Sequence, residues 1–447
     1  MPKVLIVGGG ISGLSAAYYL NKAGVRATLV EKAQHLGGVI RTSVQQGCLL
    51  EEGPDSFMAA KPWAMELIRE VGLGDQVIGS NDHLRVTYIL KHGKLVPLPD
   101  GLMMMVPTKI MPLVGTRLLS WGTKIRMGLE LLRRPPKAPL ADRSVYDFLL
   151  DHYGQESIDY LAEPLLAGVY GGDPREMSVN SVLARFVEIE SKYGSLTRGV
   201  LAAPRPKGSG SGSLFRTLKN GLGQLVDALQ PSADILQGSV ESLERANRGF
   251  RARVNGNWLD ADQVVLATPA GDAARLLQPW NGELAALLQA IPYTSSITMS
   301  LGYRKDTFDH PLNGFGFLVP KRERKFMAAC TWVGNKFSYR VPDDMVLLRC
   351  FMGGNALGQS DEALVEAAKN ELRSIMGLQA SPVFHNIARW PNAMAQYTVG
   401  HEKRQQQVES IVKGIPGLHL AGNGYRGIGL PDCIRAGKDA ATRIVSN

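Results

Sequence analysis

The chain begins with a regular alternation of short apolar runs and a stretch of helical character. The apolar residues 4–7 are followed at once by three glycines and then by residues 14–23, whose composition favours a helix. A second apolar run over 27–30 ends at the acidic Glu31. Apolar runs of this length are typical of strands buried on both faces, as in a parallel sheet. The pattern therefore predicts a strand, helix, strand unit in the first 31 residues.

Similar patterns recur along the rest of the chain. Residues 418–423 read as a short strand and a glycine turn, and 431–445 as a helix with proline in its first turn. Residues 95–205 are mainly helical in character, and 271–385 are richer in strand patterns. A helix is predicted to begin in residues 220–229, and further strands are expected at 238–243, 249–254, 262–269, 294–303 and 345–351.

The turn after the first strand has the spacing of a dinucleotide-binding motif. Gly8 permits a tight turn, Gly10 leaves no Cβ between the backbone and a pyrophosphate, and Gly13 lets the helix pack close to the strand. At the positive helix N-terminus, Ile11 and Ser12 would face the phosphates. The motif therefore predicts a phosphate site at this turn.

Glu31 completes the motif. It follows Gly13 by eighteen residues, and a carboxylate at this distance accepts hydrogen bonds from the hydroxyls of an adenosine ribose. A glycine-rich turn alone also arises for steric reasons. Together with the strand, the helix and the acidic residue, it favours a dinucleotide site.

The composition is that of a globular enzyme with a substantial core. A chain of 447 residues with 45% hydrophobic and 20% charged residues suggests two or three domains. The four cysteines are scattered without metal-ligand spacing, so we expect buried thiols in a reducing compartment and no metal site. No apolar run reaches the length of a membrane span, and no signal-peptide pattern precedes the first strand. We expect a cytoplasmic protein, at most peripheral on the inner face of the membrane.

The segment after Glu31 resembles the second glycine motif of the FAD-dependent amine oxidase superfamily. It contains Lys32, the pair Gly37 and Gly38, and Arg41. The resemblance implies that the glycine pair and the arginine line the flavin diphosphate, which an NAD site does not need. FAD is therefore the implied cofactor.

Further segments resemble other flavin-contacting parts of that superfamily. Val240 matches the strand position whose backbone meets the adenine, and Ala267 is expected to contact the cofactor at the end of a later strand. The loop expected under the isoalloxazine contains Gly53, Pro54, Asp55 and Ser56. The backbone expected at the ribityl chain and pyrimidine edge belongs to Gly422, Asn423, Ile428, Gly429 and Leu430. FAD is expected to be non-covalent, because Cys433 lies inside the predicted helix rather than in the glycine turn.

The implied fold is α/β, with a discontinuous Rossmann-like FAD-binding domain, a mixed α+β substrate domain and a helical subdomain. The FAD-binding domain is expected over residues 1–60, 214–270 and 386–447, and the substrate domain over 61–94 and 271–385. Residues 95–213 form the helical subdomain, and the glycine–serine tract at 208–213 is expected to be a mobile loop or a linker.

Within the superfamily, the chain resembles the porphyrinogen oxidases of haem biosynthesis along essentially its whole length. The segments that carry this resemblance are residues 85–99, 163–178 and 314–320. Residues 329–332 and 427–434 look more like the bacterial coproporphyrinogen III oxidases than the animal and plant protoporphyrinogen IX enzymes. Where those animal and plant enzymes place an aromatic residue over one pyrrole, this chain has Cys330 or Thr331.

The resemblance implies a six-electron oxidation of coproporphyrinogen III to coproporphyrin III, with molecular oxygen as the acceptor and hydrogen peroxide as a product. Protoporphyrinogen IX is the alternative substrate. Because the flavin carries the redox chemistry, no catalytic side chain is expected. We expect Gly168 to keep the wall beside the macrocycle thin, Leu166 and Leu318 to offer apolar faces, and Arg85 to pair with a propionate. Core packing of the two leucines and a surface role for Arg85 are the alternatives.

The net charge of +9 is concentrated in residues 102–136, where six cations face only Glu130. This stretch is also apolar and rich in methionine, which suits contact with a membrane surface or a haem-pathway enzyme. A helical subdomain with a solvated basic face is the simpler alternative. No interleaving of aromatic and basic residues indicates a nucleic-acid partner.

Two other classes of function stay open. One is a flavin oxidase for amines or carotenoids. The other is a binding protein that has kept the fold and lost the flavin, as the prenylated-GTPase chaperones have. The intact glycine motifs at both ends of the chain argue against the second class.

Overall fold

The computed structural model describes residues 2–138, 141–202 and 212–446. Most of the predicted glycine–serine tract, residues 208–211, lies outside the described residues. The strands, in chain order, are β1 Val4–Val7, β2 Ala27–Glu31, β3 Thr42–Gln45, β4 Cys48–Glu51, β5 Phe57–Met58, β6 Val77–Gly79, β7 Thr87–Lys91, β8 Lys94–Pro97, β9 Leu102–Met103, β10 Val106–Pro107, β11 Phe215–Leu218, β12 Asp234–Gln237, β13 Val240–Arg245, β14 Phe250–Val254, β15 Asn257–Ala261, β16 Gln263–Leu266, β17 Tyr293–Arg304, β18 Gly316–Leu318, β19 Met327–Trp332, β20 Met345–Gly353, β21 Phe384–Ala395 and β22 Leu418–Leu420.

The helices follow the same order. They are α1 Ile11–Lys22, α2 Pro62–Glu70, α3 Ile110–Gly115, α4 Trp121–Leu129, α5 Val145–Tyr153, α6 Gln155–Ser157, α7 Glu163–Tyr170, α8 Val179–Val182, α9 Ala184–Tyr193, α10 Leu196–Ala202, α11 Gly223–Leu229, α12 Ala270–Leu277, α13 Gly282–Gln289, α14 Val333–Lys336, α15 Asp361–Met376, α16 His401–Lys413 and α17 Leu430–Val445. Among the described residues, no helix is long and apolar enough to cross a bilayer.

A five-stranded parallel sheet forms the nucleotide-binding part of the molecule, in the order β12-β2-β1-β16-β22. The central β1 is fully buried and pairs along its whole length with β2 and β16. The strands come from the beginning, the middle and the end of the chain. This arrangement confirms the predicted α/β fold with a discontinuous Rossmann-like domain.

A mixed seven-stranded sheet forms the second part, in the order β21-β17-β20-β19-β18-β7-β8. Only the β18–β7 pair is parallel. One face of this sheet packs on α15 through buried residues such as Leu301, Leu348 and Leu372. The other face carries a row of paired residues, Ser300, Arg349, Thr331 and Gly316.

Two segments differ from the predicted domain boundaries. Helix α2 was assigned to the substrate domain, but its apolar face, with Leu67 and Ile68, packs into the same core as α1 and α17. Strand β21 was assigned largely to the FAD-binding domain, but it pairs with β17 in the seven-stranded sheet. The sequence pattern shows that an element has an apolar face, but it does not show against which core that face packs.

The helical part, α3 to α10, has its own core, and a charged cluster lies inside it. His152 is fully buried, with Nδ1 2.9 Å from Glu130 Oε1 and Nε2 3.1 Å from Glu190 Oε1. Arg143 Nη2 lies 2.8 Å from the same Glu190 oxygen. Burial alone would raise the pKa of both glutamates, but hydrogen bonds, led by those from His152, lower it overall. The cluster joins α5 and α9 to the segment after α4.

We predict that His152→Leu lowers the free energy of unfolding by about 3 kcal/mol, because it removes the shared partner of two buried carboxylates. Groups with a lowered folded-state pKa stabilise the fold above their unfolded pKa, and this contribution is lost as the pH falls. The difference from wild type should therefore narrow below pH ~4.3. Urea unfolding at pH 7 and pH 4 measures both effects. His385→Leu, at an exposed position of β21, is the control. Wild-type stability of the His152 variant at pH 7 would contradict the prediction.

Candidate functional site

The first glycine turn links β1 to α1 and leaves open space at one position only. Gly8 has φ +105°, and a Cβ there would lie 2.7 Å from the carbonyl oxygen of Ala267. A Cβ at Gly13 would lie 2.0 Å from the carbonyl oxygen of Gly8. Gly10 differs, since its φ is −69° and a Cβ would meet no protein atom within 4 Å. The turn is therefore close-packed against the protein at Gly8 and Gly13 and open at Gly10, as a phosphate site requires.

Two helix N-termini lie side by side at this turn. Ser12 Oγ donates a hydrogen bond to the carbonyl oxygen of Cys433, 2.9 Å away. A Cβ at Gly437 would lie 2.2 Å from the carbonyl oxygen of Ser12, so α1 and α17 are in backbone contact. No side chain of the described residues caps either helix. The N–H groups of their first turns, except at Pro431, which has none, and their positive dipole ends are thus available to an anionic ligand.

Glu31 lies at the carboxyl end of β2, where the motif predicts it. Its Oε2 accepts from the N–H of Gly9 at 2.6 Å and its Oε1 from the N–H of Ala33 at 2.7 Å. Each oxygen keeps a second lone pair for a ribose hydroxyl. Val240 lies near Glu31, because Gln237, three residues before Val240, pairs with Glu31 in the β12–β2 ladder. In contrast, the Lys32 side chain is mostly exposed and reaches towards Asp272, 3.8 Å away.

The second glycine pair is in contact with the first turn. Gly37 bridges Gly10, and a Cβ at Gly38 would lie 3.4 Å from Gly10 Cα. A Cβ at Gly53 would lie 1.8 Å from the carbonyl oxygen of Val39. The first glycine turn, the Gly37–Gly38 segment and the 53–56 loop therefore form one continuous backbone surface.

The C-terminal glycine turn is held by two tyrosines that the sequence analysis did not identify. Tyr293 Oη accepts from the N–H of Ala270 at 3.0 Å and donates to Asn423 Oδ1 at 3.3 Å. Tyr397 Oη donates to the Asn423 carbonyl oxygen at 2.8 Å and accepts from the N–H of Gly427 at 2.7 Å. Burial raises the pKa of Tyr293 to about 12, so it stays a donor at neutral pH. Tyr293 lies 130 residues before Asn423, and no local motif marks it.

The loop with Ile428 and Gly429, which leads into α17 at Leu430, is fixed by a further ion pair. Lys61 Nζ lies 2.5 Å from Oδ2 of Asp432, a buried residue in the first turn of α17. A Cβ at Gly427, where φ is +106°, would meet this carboxylate. Lys61 was also missed, because its partner lies 371 residues away.

The predicted substrate residues divide into three cases. Gly168 and Leu318 face each other, since a Cβ at Gly168 would lie 3.6 Å from Leu318 Cδ2. Arg85 is exposed and lies just before β7, the neighbour of the strand that carries Leu318. Leu166 has no exposed surface and belongs to the helical core, so its predicted role as an apolar face for a ligand is not supported.

The two candidates for the missing aromatic position point to opposite faces of β19. Cys330 is buried in the core, with its Sγ 3.9 Å from that of Cys350. Thr331 pairs with Arg349 and Gly316 on the face away from α15. Thr331 is therefore the residue that faces the nucleotide-binding side. All four cysteines are free and buried, as predicted.

Comparison with known proteins decides the family. A family model described as flavin containing amine oxidoreductase matches residues 11–445. Coproporphyrinogen III oxidases of Propionibacterium freudenreichii and Bacillus subtilis are 34% and 32% identical over 99% and 98% of this chain, and over 90% and 97% of theirs. A crystal structure of a provisionally named protoporphyrinogen oxidase from Exiguobacterium sp. superimposes with a TM-score of 0.89, at 32% identity over 100% of this chain and 99% of that chain. The chain belongs to the flavin-containing amine oxidoreductases.

The residues fit the FAD of this family. The open position in front of Gly10, the two uncapped helix ends and the Glu31 carboxylate suit a diphosphate and a ribose. Ser12 contributes only its backbone, because its hydroxyl is used in helix packing. FAD is the cofactor of this oxidoreductase, and the flavin accepts electrons when it is bound.

Arg41 is the predicted cofactor residue that lies apart from this backbone surface. Its exposed guanidinium stacks over the ring of Trp390, with 5.2 Å to the centroid. It lines an open cleft of about 690 Å³ together with Gln34, Glu52 and Asp227. No residue of the first glycine turn lines this cleft. The contact of Arg41 with the diphosphate therefore stays a prediction, and stacking on Trp390 shows only where the side chain lies in this structure.

We predict that Gly10→Ala weakens FAD binding by about 1 to 3 kcal/mol, because the added Cβ enters the space in front of the turn. No protein atom is in its way, so the free energy of unfolding of the apoprotein should change by less than about 1 kcal/mol. Titration of apoprotein with FAD, followed by flavin fluorescence, measures the affinity. Gly358→Ala, where a Cβ also meets no atom, should bind FAD like wild type. Unchanged FAD affinity in Gly10→Ala would place the diphosphate elsewhere.

Proposed function

We propose that this oxidoreductase converts coproporphyrinogen III to coproporphyrin III. The observation that carries the proposal is similarity, over at least 98% of this chain, to bacterial proteins named coproporphyrinogen III oxidase. The substrate loses six hydrogens, and three O₂ molecules take them up as three H₂O₂, so atoms and electrons balance. The aromatic product supplies the driving force, and the residues that line the cavity hold the macrocycle and exclude competing contacts.

Named residues would hold the macrocycle. The Gly168 backbone and the Leu318 side chain offer a thin apolar surface, and the exposed Arg85 has a guanidinium fork that matches a carboxylate. Asp100 is a carboxylate near enough to interact electrostatically with Arg85, but it is paired with Lys109 at 2.5 Å, so the Arg85 guanidinium is available to a propionate. Thr331 leaves space at the position where related enzymes have an aromatic ring.

Protoporphyrinogen IX is the second candidate substrate, favoured by the name of the Exiguobacterium protein. The two substrates differ in the number of propionates, four against two, so they report on charge recognition. We propose that FAD is not tethered, because Cys433 is buried in α17 beside the carbonyl oxygen of Ile428.

A parallel assay of both porphyrinogens tests the function. We expect fluorescent porphyrin from both, a higher kcat/KM for coproporphyrinogen III, and three H₂O₂ per porphyrin formed. A higher kcat/KM for protoporphyrinogen IX would reverse the substrate assignment. Absence of porphyrin from both substrates, with FAD bound, would contradict the proposed function.

Arg85→Ala is predicted to raise KM for coproporphyrinogen III by about tenfold or more, with little change in kcat. A propionate bound equally in the ground and transition states contributes to KM alone, and a charged hydrogen bond contributes about 1.5–3 kcal/mol. Steady-state kinetics measure the effect. Lys94→Ala, which removes an exposed cation from the adjacent β8, should behave like wild type. A fall in kcat at unchanged KM would show that Arg85 acts differently.

We also propose that residues 110–132 dock on an anionic membrane surface. Helix α4 exposes Trp121, Ile125 and Leu129 at helical spacing, each more than 60% exposed, and Leu132 continues this stripe. Ile110 and Met111 of α3 are exposed as well. An apolar stripe with a cationic border suits the membrane interface. The neighbouring cations are Lys109, Arg117, Lys124, Arg126, Arg133 and Arg134.

Flotation with vesicles containing anionic lipid tests this surface. We expect wild type to bind, and binding to weaken as salt screens the charges. A variant with Trp121, Ile125 and Leu129 changed to Ser should lose binding, and a variant with Lys124, Arg126, Arg133 and Arg134 changed to Gln should bind weakly. Val383→Ser, an exposed apolar residue outside this region, is the control. Absence of wild-type flotation would favour a protein partner or a solvated face.

A further inference from the structure

A buried charged cluster lies behind the loop that contains Gly53 and Asp55. It comprises two carboxylates and three cationic side chains. These are Glu51, Asp55, Lys336, Arg340 and Arg349, and all of them line one small cavity. They come from β4 and the loop after it, from α14 and the segment that follows, and from β20. The cluster therefore joins the nucleotide-binding part to the seven-stranded sheet.

Asp55 is the anion closest to the flavin loop, and two cations hold it. Its Oδ2 lies 2.8 Å from Lys336 Nζ and 3.4 Å from Arg349 Nη1. Ser56 Oγ donates to Oδ1 at 2.6 Å. Burial would raise the pKa of Asp55, but the two cations lower it far below its usual range. Asp55 is therefore a carboxylate at neutral pH.

Arg349 connects the sheet directly to the backbone of this loop. Its Nη2 donates to the carbonyl oxygen of Gly53, whose Cα packs against Val39 in the second glycine segment. The side chain is only 4% exposed. Its neighbours across the sheet, Ser300 and Thr331, are uncharged. The positive charge is therefore directed at the loop and is not shared with other ionised groups of that row.

The second pair of the cluster lies deeper. Arg340 Nη1 is 3.1 Å from Glu51 Oε1, and the two side chains are 2% and 5% exposed. Burial raises the pKa of Glu51 despite this partner. Three cations and two carboxylates leave one positive charge in excess, and protonation of Glu51 would increase the excess. A buried net charge is costly, and it is usually neutralised by a partner.

Within the described residues, two donors of the cluster have no acceptor. Nε of Arg340 and Nε of Arg349 are both buried and unpaired. The cavity between the five charged residues has a volume of about 10 Å³, enough for one water molecule. A water there could satisfy a donor, but it brings no negative charge. The five side chains therefore carry a net positive charge that no member of the cluster neutralises.

We propose that the excess positive charge behind the 53–56 loop stabilises the negative charge that the bound flavin gains on reduction, and that Lys336 and Arg349 thereby raise its reduction potential. This inference rests on the proposed position of the isoalloxazine against that loop. A two-electron reduction adds negative charge to the flavin, and a fixed buried cation nearby stabilises the reduced form more than the oxidised form. Lys336 and Arg349 are positioning and electrostatic residues, and neither needs to touch the substrate.

The sign of the effect separates this role from a purely structural one. Lys336→Met removes a positive charge and should lower the midpoint potential of bound FAD. Asp55→Asn removes a negative charge from the same contact and should raise it. A structural defect in the loop has no reason to move the potential in opposite directions. Lys336→Arg keeps the charge and should leave the potential close to that of wild type.

The test is a potentiometric titration of the FAD-loaded wild type and variants, followed by flavin absorbance, with sulfite binding as a second readout. Sulfite forms an anionic flavin adduct, so its dissociation constant should rise roughly tenfold in Lys336→Met and fall in Asp55→Asn. For a two-electron couple, tenfold corresponds to about 30 mV. The double variant should return close to wild type. Lys305→Met, at an exposed position, is the control for a distant charge.

The outcomes separate the inference from the proposed function. Shifts in the same direction for Lys336→Met and Asp55→Asn, or no shift in either, would overturn the electrostatic role. If Asp55→Asn does not retain FAD, the electrostatic role is tested by comparing Lys336→Met with Lys336→Arg. Equal midpoint potentials of these two variants would overturn that role. A wild-type protein that binds no FAD would instead contradict the proposed function itself.

Discussion

The contact between α1 and α17 is the constraint on which the rest of the site depends. Gly437 allows the two helices to touch at Ser12, and the Ser12 hydroxyl bonds to the backbone of α17. This contact places two uncapped N-termini side by side at the carboxyl ends of β1 and β22. A larger residue at Gly437 would separate them. The anion-binding property therefore belongs to the packing of the two helices, and neither helix provides it alone.

Ion pairs connect the nucleotide-binding part to the seven-stranded sheet. The glycine segments form a backbone surface without side-chain charges, and the cations lie one layer behind it. Lys61 acts through Asp432, and Lys336 and Arg349 act through Asp55. Ion pairs with large separation in sequence therefore fix the loops that the glycines make accessible. The seven-stranded sheet thus holds, through Arg349, the loop that is predicted to lie under the flavin.

Local patterns predicted the parts of the site that are local in sequence. The strand, turn and helix at Gly8 to Gly13, the position of Glu31 and the helix after Pro431 required only short-range spacing. Patterns did not predict Tyr293, Tyr397, Lys61 or Arg349, because each meets its partner across more than 25 residues, and most across more than 100. The apolar face of α2 was recognisable, but its partner core was not.

Packing against residues that are distant in sequence also explains where the side chains of Leu166 and Arg41 lie. Leu166 has the composition expected of an apolar surface beside a ligand, but its helix turns it into the core. Arg41 follows a glycine pair, but it stacks on Trp390 from a distant strand. In contrast, Gly168 and Leu318 lie next to each other, and their roles beside the macrocycle stay predictions. A side chain's direction depends on the packing of its whole element, and a motif specifies only the backbone position.

The role of the paired helix N-termini is tested most directly by a titration of the apoprotein with FAD and with riboflavin, which lacks the diphosphate and the adenosine. If the paired helix N-termini and Glu31 provide most of the binding energy, FAD should bind with one site per chain and at least about a hundredfold more tightly than riboflavin. Equal affinities for the two flavins, or no binding of FAD, would contradict the account.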